Sequence, residues 1–392
     1  MRIDNAEAVP SAAWERESRK RAPSATNDEF LKSALARLDA DHRNIHVLDM
    51  ASAGLPQPPP IATGDRPDHH TRRGFRNPPG SPRDHGTLGH LWVILRYLWL
   101  TRHVPRRPPV PSGFVLPRDA VLAGLRQHRR SDSITWLGHA CFLIRLGGRT
   151  ILTDPFLGDY AAPIEGFGPR RFTPPALRVR DLPPLDVVLI SHNHYDHFDV
   201  ATLSDRRFPR GARVVAPLGL GPRLLELGYD VTEVDWHHEL TLGHDRNDSL
   251  RVVATPAVHF SGRGLFDRNR TLWCGFALEG GGKRLYFGGD SASGPVFADI
   301  GARHGPFDLA ILGIGAYEPS VIFRRSHASP EEAAEMGRQL GARRILGMHY
   351  GTIVLSGEPA FEPPQRLRAA AGAAGYADED VWTLRIGETR AL

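Results

Sequence analysis

The sequence predicts a layered α/β protein, and three observations carry that expectation. Short apolar runs of strand length recur between residues 133 and 349. One segment among them has the caps of a helix. Apolar residues make up 41% of the chain and charged residues 24%, the balance of a globular enzyme and not of a disordered chain. Many strands with few helices between them indicate layers, not a bundle.

Residues 1 to 75 are rich in Pro, Ser, Ala, Arg and Asp without a sustained period. They are expected to form a mostly disordered segment, with a short helix over "DEFLKSALARLDADH". The opening "MRIDNAEAVPSAAWERESRKRAPS" has no apolar core of a secretory signal. Residues 76–130 read as an N-terminal extension. It holds the apolar "LWVILRYLWL" (91–100), then seven arginines (102, 106, 107, 118, 126, 129 and 130) against the single acid Asp119 in residues 101–130. A spanning helix needs about 20 apolar residues, so the ten-mer does not cross a bilayer. Leu91, Ile94, Leu95 and Leu98 share one helical face, which suits either an interfacial helix near anionic head groups or a face packed on protein.

Residues 131–392 read as the catalytic domain. "SITWLGHACFLIRLGGRTILTDPFL" (133–157) is expected to be two strands joined by a tight turn at "GG". "LDVVLIS" (185–191) is a buried strand, and "RVVATPAVH", "LWCGFALEG", "RLYFGGD", "LAILGIG" and "RRILGMHYG" follow as further strands. "SPEEAAEMGRQLGA" (329–342) is the helix: Ser329 suits the N-cap, Pro330 the first turn, Glu332 the capping box and Gly341 the stop. Only Cys141 and Cys274 are present, both in apolar runs, which excludes a disulfide framework and fits a reducing compartment. The net charge of +5 leaves nucleic acid, anionic membrane and phosphate-bearing substrates open as partners.

The chemistry concentrates in "SHNHYDHFD" (191–199). His192 and His194, two apart on an extended chain, point the same way, and Asp196 and His197 point to a second position nearby. Four imidazole and carboxylate groups in six residues can serve two adjacent metals. With room for water they suit Zn²⁺ foremost, with Fe or Mn also open. Later apolar strands each close on a single polar residue: His259, Asp290 after Gly288–Gly289, and His349. Each alone could be a satisfied structural group, but three after an H-x-H-x-D-H make coincidence improbable.

This arrangement resembles the metallo-β-lactamase superfamily, which implies an αββα sandwich with a dinuclear site at its rim. The resemblance assigns His192, His194 and His259 to one metal, Asp196, His197 and His349 to the other, and Asp290 to both. The stretches "TWLGHACFLI", "LTDPFL", "GPRRFTPPAL", "LPPLDVVLISHNHYDHFD", "GPFDLAILGIGAYEP", "HASPEEAAEMG" and "MHYGTIVLSGEPAFEPP" are similar to N-acylphosphatidylethanolamine-hydrolysing phospholipase D. The likeness runs from about Arg73 to the C-terminus. It implies a metal-bridging hydroxide near neutral pH that attacks a phosphodiester, yielding phosphatidate and N-acylethanolamine. The chain departs from that pattern in "GDSASG", where an aromatic is usual, and at Ser326, where a Gln is usual.

The expected catalytic residues are Asp290, Asp196 and His327, and the residues expected to meet substrate are Ser326, His327 and Tyr317. His327 either contacts the phosphate or protonates the leaving oxygen, or it serves the start of the following helix; His139 is open between a supporting and a structural role. The expected partner is phospholipid at a membrane surface, in a cytoplasmic protein that can sit peripherally on the inner face; a homodimer is open. Nucleic acid is not expected, because the arginines are not interleaved with aromatics. A cytosolic lactonase or other small-molecule hydrolase of the same fold is the alternative.

Overall fold

The structure, a computed structural model, describes residues 67–82, 105, 107–163, 166, 168–243, 249–264 and 267–392. The expected helix over 28–42 and the apolar ten-mer 91–100 lie outside the described residues. The architecture below is that of the compact unit Arg66–Leu392.

The described chain opens with a small hairpin, β1 (His70–Thr71) and β2 (Gly74–Phe75). By composition these residues belong to the segment expected to be mostly disordered. They are held by distant groups that local composition does not reveal: Asp235 bonds His69 and His70, and Asn269 O accepts from Phe75 N. Helix α1 (Arg118–Gln127) buries Val121 and leads into the first sheet.

That sheet contains β3 (Ser133–Gly138), β4 (Cys141–Leu146), β5 (Arg149–Thr153), β6 (Val187–Leu189), β7 (Arg213–Pro217), β8 (Asp230–Val234) and, at its edge, β16 (Thr389–Ala391), in the order β16-β3-β4-β5-β6-β7-β8. The second contains β9 (Glu239–Leu242), β10 (Leu250–Thr255), β11 (Gly275–Gly280), β12 (Lys283–Phe287), β13 (Leu309–Gly313), β14 (Ile345–Met348) and β15 (Val381–Trp382), in the order β15-β14-β13-β12-β11-β10-β9. One hydrophobic cluster runs through both, with Ile134, Phe142, Val188 and Val214 from the first and Val252, Phe276, Phe287 and Ile311 from the second. Helix α3 (Gly221–Glu226) packs on β7 and β8, while α6 (Pro330–Gln339) and α7 (Pro363–Ala373) pack on β13 and β15 respectively; α2 (Val200–Ser204), α4 (Val296–His304) and α5 (Ser320–Phe323) complete the helices described. This is the αββα layering of the metallo-β-lactamase fold.

Each sheet changes from antiparallel to parallel pairing partway across. In the first the change comes at β5–β6, in the second at β12–β13. Loops at the carboxyl ends of the strands are where α/β sheets commonly bind ligands, and it is there that the polar strand-closing residues lie.

Two local corrections follow. Residues 133–153 form three strands, not two. The expected turn at Gly147–Gly148 joins β4 to β5, but a second reversal at Gly138 (φ 111°) and His139 (φ 57°) separates β3 from β4. A left-handed histidine is rare enough that sequence alone gives no cue for it. The strand ending "ATPAVH" stops at Thr255, since Pro256 cannot donate to the ladder, and the chain reaches His259 as loop. Helix α6 matches its expectation: Ser329 Oγ accepts from Glu332 N, and Glu332 Oε2 accepts from Ser329 N.

Candidate metal centre

Seven side chains expected from sequence converge at the carboxyl ends of the strands. His192 Nε2 lies 2.8 Å from His194 Nδ1, and His259 Nε2 lies 3.2 Å from the same nitrogen. A second group forms around Asp196 Oδ2, which is 3.6 Å from both His197 Nε2 and His349 Nε2. Asp290 Oδ2 stands between them, 3.1 Å from His349 Nε2 and 3.2 Å from His197 Nε2 on one side. On the other it is 3.9 Å from His259 Nε2 and 4.0 Å from His192 Nε2. One carboxylate oxygen thus faces four imidazoles from two groups.

The backbone is bent to achieve this. His139 and His349 adopt left-handed conformations, as does Asp154 at φ 32°. Such strain persists where surrounding structure over-determines it, commonly at functional sites. Gly289 (φ 55°) lets the chain turn into Asp290, and a Cβ there would sit 2.7 Å from Ser191 Cβ. Gly315 passes so close to His349 that a Cβ would lie 2.1 Å from its carbonyl oxygen.

The cluster is almost entirely buried, which decides its electrostatics. Burial holds His192 and His259 well below the ordinary imidazole pKa and His194 at about 4, so these rings are neutral and offer lone pairs. Burial opposes charge on His197 and His349 too, yet the adjoining carboxylates raise both, His349 to about 9. His197 Nε2, His349 Nε2 and Asp290 Oδ1 are buried without a hydrogen-bond partner. Buried polar atoms are normally satisfied, and imidazole nitrogens and carboxylate oxygens aimed at common points fit divalent cations.

Ring orientations are set from behind. His259 Nδ1 lies 2.7 Å from Ser326 O, so it donates there and leaves Nε2 for the site. His197 Nδ1 likewise donates to Asp154 Oδ2 at 2.7 Å. Asp154 also accepts from Ser191 N at 2.7 Å and Ser191 Oγ at 2.6 Å, and that hydroxyl lies 2.9 Å from His192 Nδ1. His139 Nε2 contacts Asp196 Oδ2 at 2.8 Å. Burial pushes His139 down to about 3, so its neutral ring braces the carboxylate. The loop 193–198 is clamped by Arg263, which donates to Asn193 O and Phe198 O and stacks over Tyr195 at 3.8 Å. Asn77 Oδ1 accepts from His259 N.

Asp154, Ser191, Arg263 and Asn77 were not singled out in the sequence. Asp154 carried a usable signal, since it closes the apolar run "RTILTD" before a proline as the other site residues close theirs. Arg263 and Asn77 carried none, because their partners are remote in the chain.

The residues expected to meet substrate behave differently from one another. His327 Nδ1 is 3.8 Å from Asp290 Oδ2, and its ring centroid lies 5.1 Å from that of His259 and 5.3 Å from that of His349. Burial lowers it to about 4, so it presents a neutral imidazole to both groups. Ser326 touches His259 through its carbonyl, while its hydroxyl lies against Phe323 O. The Tyr317 hydroxyl donates to Glu362 at 2.5 Å, under the Arg366 guanidinium. Cys141 and Cys274 are free and buried, and burial raises both thiols, Cys141 to about 12. No helix among the described residues is long and apolar enough to cross a membrane.

Comparison with known proteins supplies the family context. Residues 149–350 match the beta-lactamase superfamily domain. A Caenorhabditis elegans protein named N-acyl-phosphatidylethanolamine-hydrolyzing phospholipase D 1 is 37% identical over 243 residues, covering 60% of this chain and 68% of that protein. The Saccharomyces cerevisiae mitochondrial protein named for the same activity is 36% identical over 315 residues, covering 77% of this chain and 67% of its own. Among solved structures, a metallo hydrolase from the archaeon Ignicoccus hospitalis has a TM-score of 0.50 at 22% identity, covering 67% of this chain and 98% of that one.

Proposed function

The chain belongs to the beta-lactamase superfamily and is a metal-dependent hydrolase that binds divalent metal, and from that premise we propose that it cleaves phosphodiesters in the manner of a phospholipase D. The substrate class is N-acylphosphatidylethanolamine or a related phospholipid, and the products are phosphatidate and an N-acylethanolamine. The observation that carries this reading is Asp290 Oδ2 facing His192 and His259 on one side and His197 and His349 on the other. The relatives named for that activity support the choice of substrate.

In this reading His192, His194 and His259 hold one cation, Asp196, His197 and His349 a second, and Asp290 both, with zinc favoured by the imidazole-rich set. When bound, two such ions acidify water toward neutral pH and stabilise charge on a phosphoryl oxygen. The protein's own groups do the rest. Asp196 is braced by His139, and both Asp196 and Asp290 face His197 and His349, so the carboxylates stay ionised; both lie well below the usual carboxylate range, because the neighbouring imidazoles outweigh burial. His327, a neutral imidazole 3.8 Å from Asp290 Oδ2, is the side chain placed to offer a hydrogen bond to a phosphoryl oxygen. Hydrolysis delivers hydroxide from water to phosphorus, breaks the phosphorus–oxygen bond to the head group, and places the remaining proton on that oxygen.

Purified protein incubated with N-acylphosphatidylethanolamine, ordinary phosphatidylethanolamine and an acyl-homoserine lactone tests the reading, with His194→Ala as control. Release of N-acylethanolamine by wild type and not by the variant is expected. Turnover of the lactone alone overturns the phosphodiesterase reading in favour of a small-molecule hydrolase. Membrane association of residues 91–100 is part of the proposal, and Leu95→Glu and added salt should each weaken sedimentation with anionic vesicles.

A further inference from the structure

A second cluster of ligating side chains lies apart from this centre, where the β1–β2 hairpin meets the residue after β8. His69 Nε2 is 2.6 Å from Asp235 Oδ1, and His70 Nε2 is 2.7 Å from Asp235 Oδ2. Consecutive residues in a strand face opposite ways. Here His69 sits in the turn before β1, so two neighbouring imidazoles converge on one carboxylate.

Their planes are fixed by packing. His69 stacks on Trp236 with centroids 4.1 Å apart and 25° between planes, and His70 meets Phe75 edge-on at 5.0 Å. The two imidazoles themselves are 4.6 Å apart. Exposures of 11%, 12% and 24% for His69, His70 and Asp235 leave the cluster covered but reachable from solvent. His237, in a left-handed conformation at φ 67°, belongs to the same corner, since His69 and Asp235 both act on it electrostatically.

One carboxylate balances one charge. A single divalent ion accepts both imidazole lone pairs and the carboxylate together. We propose that His69, His70 and Asp235 form a metal site distinct from the catalytic cluster, taking a borderline divalent cation of the Zn²⁺ class and completing its shell with water. The ion staples the hairpin to the sheet. The chain runs on from that hairpin to Asn77, whose Oδ1 accepts from His259 N at 2.9 Å and from Trp273 Nε1 at 3.1 Å. The site thereby braces the backbone of a residue in the catalytic cluster.

Zinc-edge anomalous diffraction from crystals of the full chain, grown with zinc and desalted, tests this directly. A peak within bonding distance of Asp235 is expected, and it should persist in His194→Ala. Elemental analysis should count one zinc fewer per chain in His70→Ala than in wild type. Absence of the Asp235 peak in wild type, or equal zinc content in folded His70→Ala, reduces the cluster to an ion pair and overturns the proposal. Both readouts are independent of lipid turnover, so failure of the phospholipase reading leaves this result interpretable.

Discussion

Asp154→Asn is the sharpest probe of how the centre is held. The two Asp154 oxygens accept three hydrogen bonds, from Ser191 N, Ser191 Oγ and His197 Nδ1, at 2.6 to 2.7 Å. An asparagine of the same shape has one acceptor oxygen and one NH₂ donor. If its oxygen stays with Ser191 N, the NH₂ faces His197, and the imidazole must move its proton from Nδ1 to Nε2. That is the nitrogen aimed at Asp290 and Asp196, and once protonated it cannot ligate. If the amide flips, Ser191 N–H loses its acceptor, a buried loss of about 1–3 kcal/mol. Partners that orient metal-binding histidines are worth roughly 10–100-fold in metal affinity, or about 1.4–2.8 kcal/mol. Chelator competition followed by elemental analysis, with circular dichroism to confirm the fold, measures it. A folded Asp154→Asn protein that holds metal as tightly as wild type would refute the claim that this carboxylate sets the His197 tautomer.

Two further outcomes follow from the structure. Gly315→Ala should lower thermal stability by about 1–3 kcal/mol and loosen metal, because its Cβ would collide with the His349 carbonyl. Gly372→Ala at an exposed position of helix α7, where a Cβ meets nothing, should instead gain up to about 1 kcal/mol; equal melting shifts in the two variants would contradict the packing. Glu388 lies below its ordinary pKa: burial raises it, but Arg385 and Arg390 outweigh that. A depressed carboxylate contributes stability that is present above its unfolded pKa of about 4.3 and is lost as pH falls through the lower folded value. Glu388→Gln should therefore be less stable than wild type near neutral pH and lose less on acidification. Parallel stability curves for the two, from denaturant titrations at neutral and acid pH, would argue against the pairing.

Much of the centre was legible before folding was considered, for a local reason. Strand ends are marked by the stop of an apolar run, so His192, Asp290 and His349 announced themselves as polar residues at those stops. The capped helix at Pro330–Gln339 was legible because Ser329, Pro330 and Glu332 act within one turn. The split of β3 from β4 was not, since His139 takes its left-handed turn while its backbone N donates to Thr352 Oγ1, a partner far along the chain.

By itself, then, the sequence determined the type of site: which residue kinds, at which strand ends, in the H-x-H-x-D-H spacing that suits two cations. Only the tertiary structure decided that Asp290 Oδ2 stands between the two groups, that Asp154 and Arg263 hold the histidine loop from behind, and that His69 and His70 meet Asp235. Those contacts depend on the register of two separate sheets and on a hairpin docking from the far end of the chain. Such pairings are set by burial over long sequence distances, and no short-range pattern encodes them.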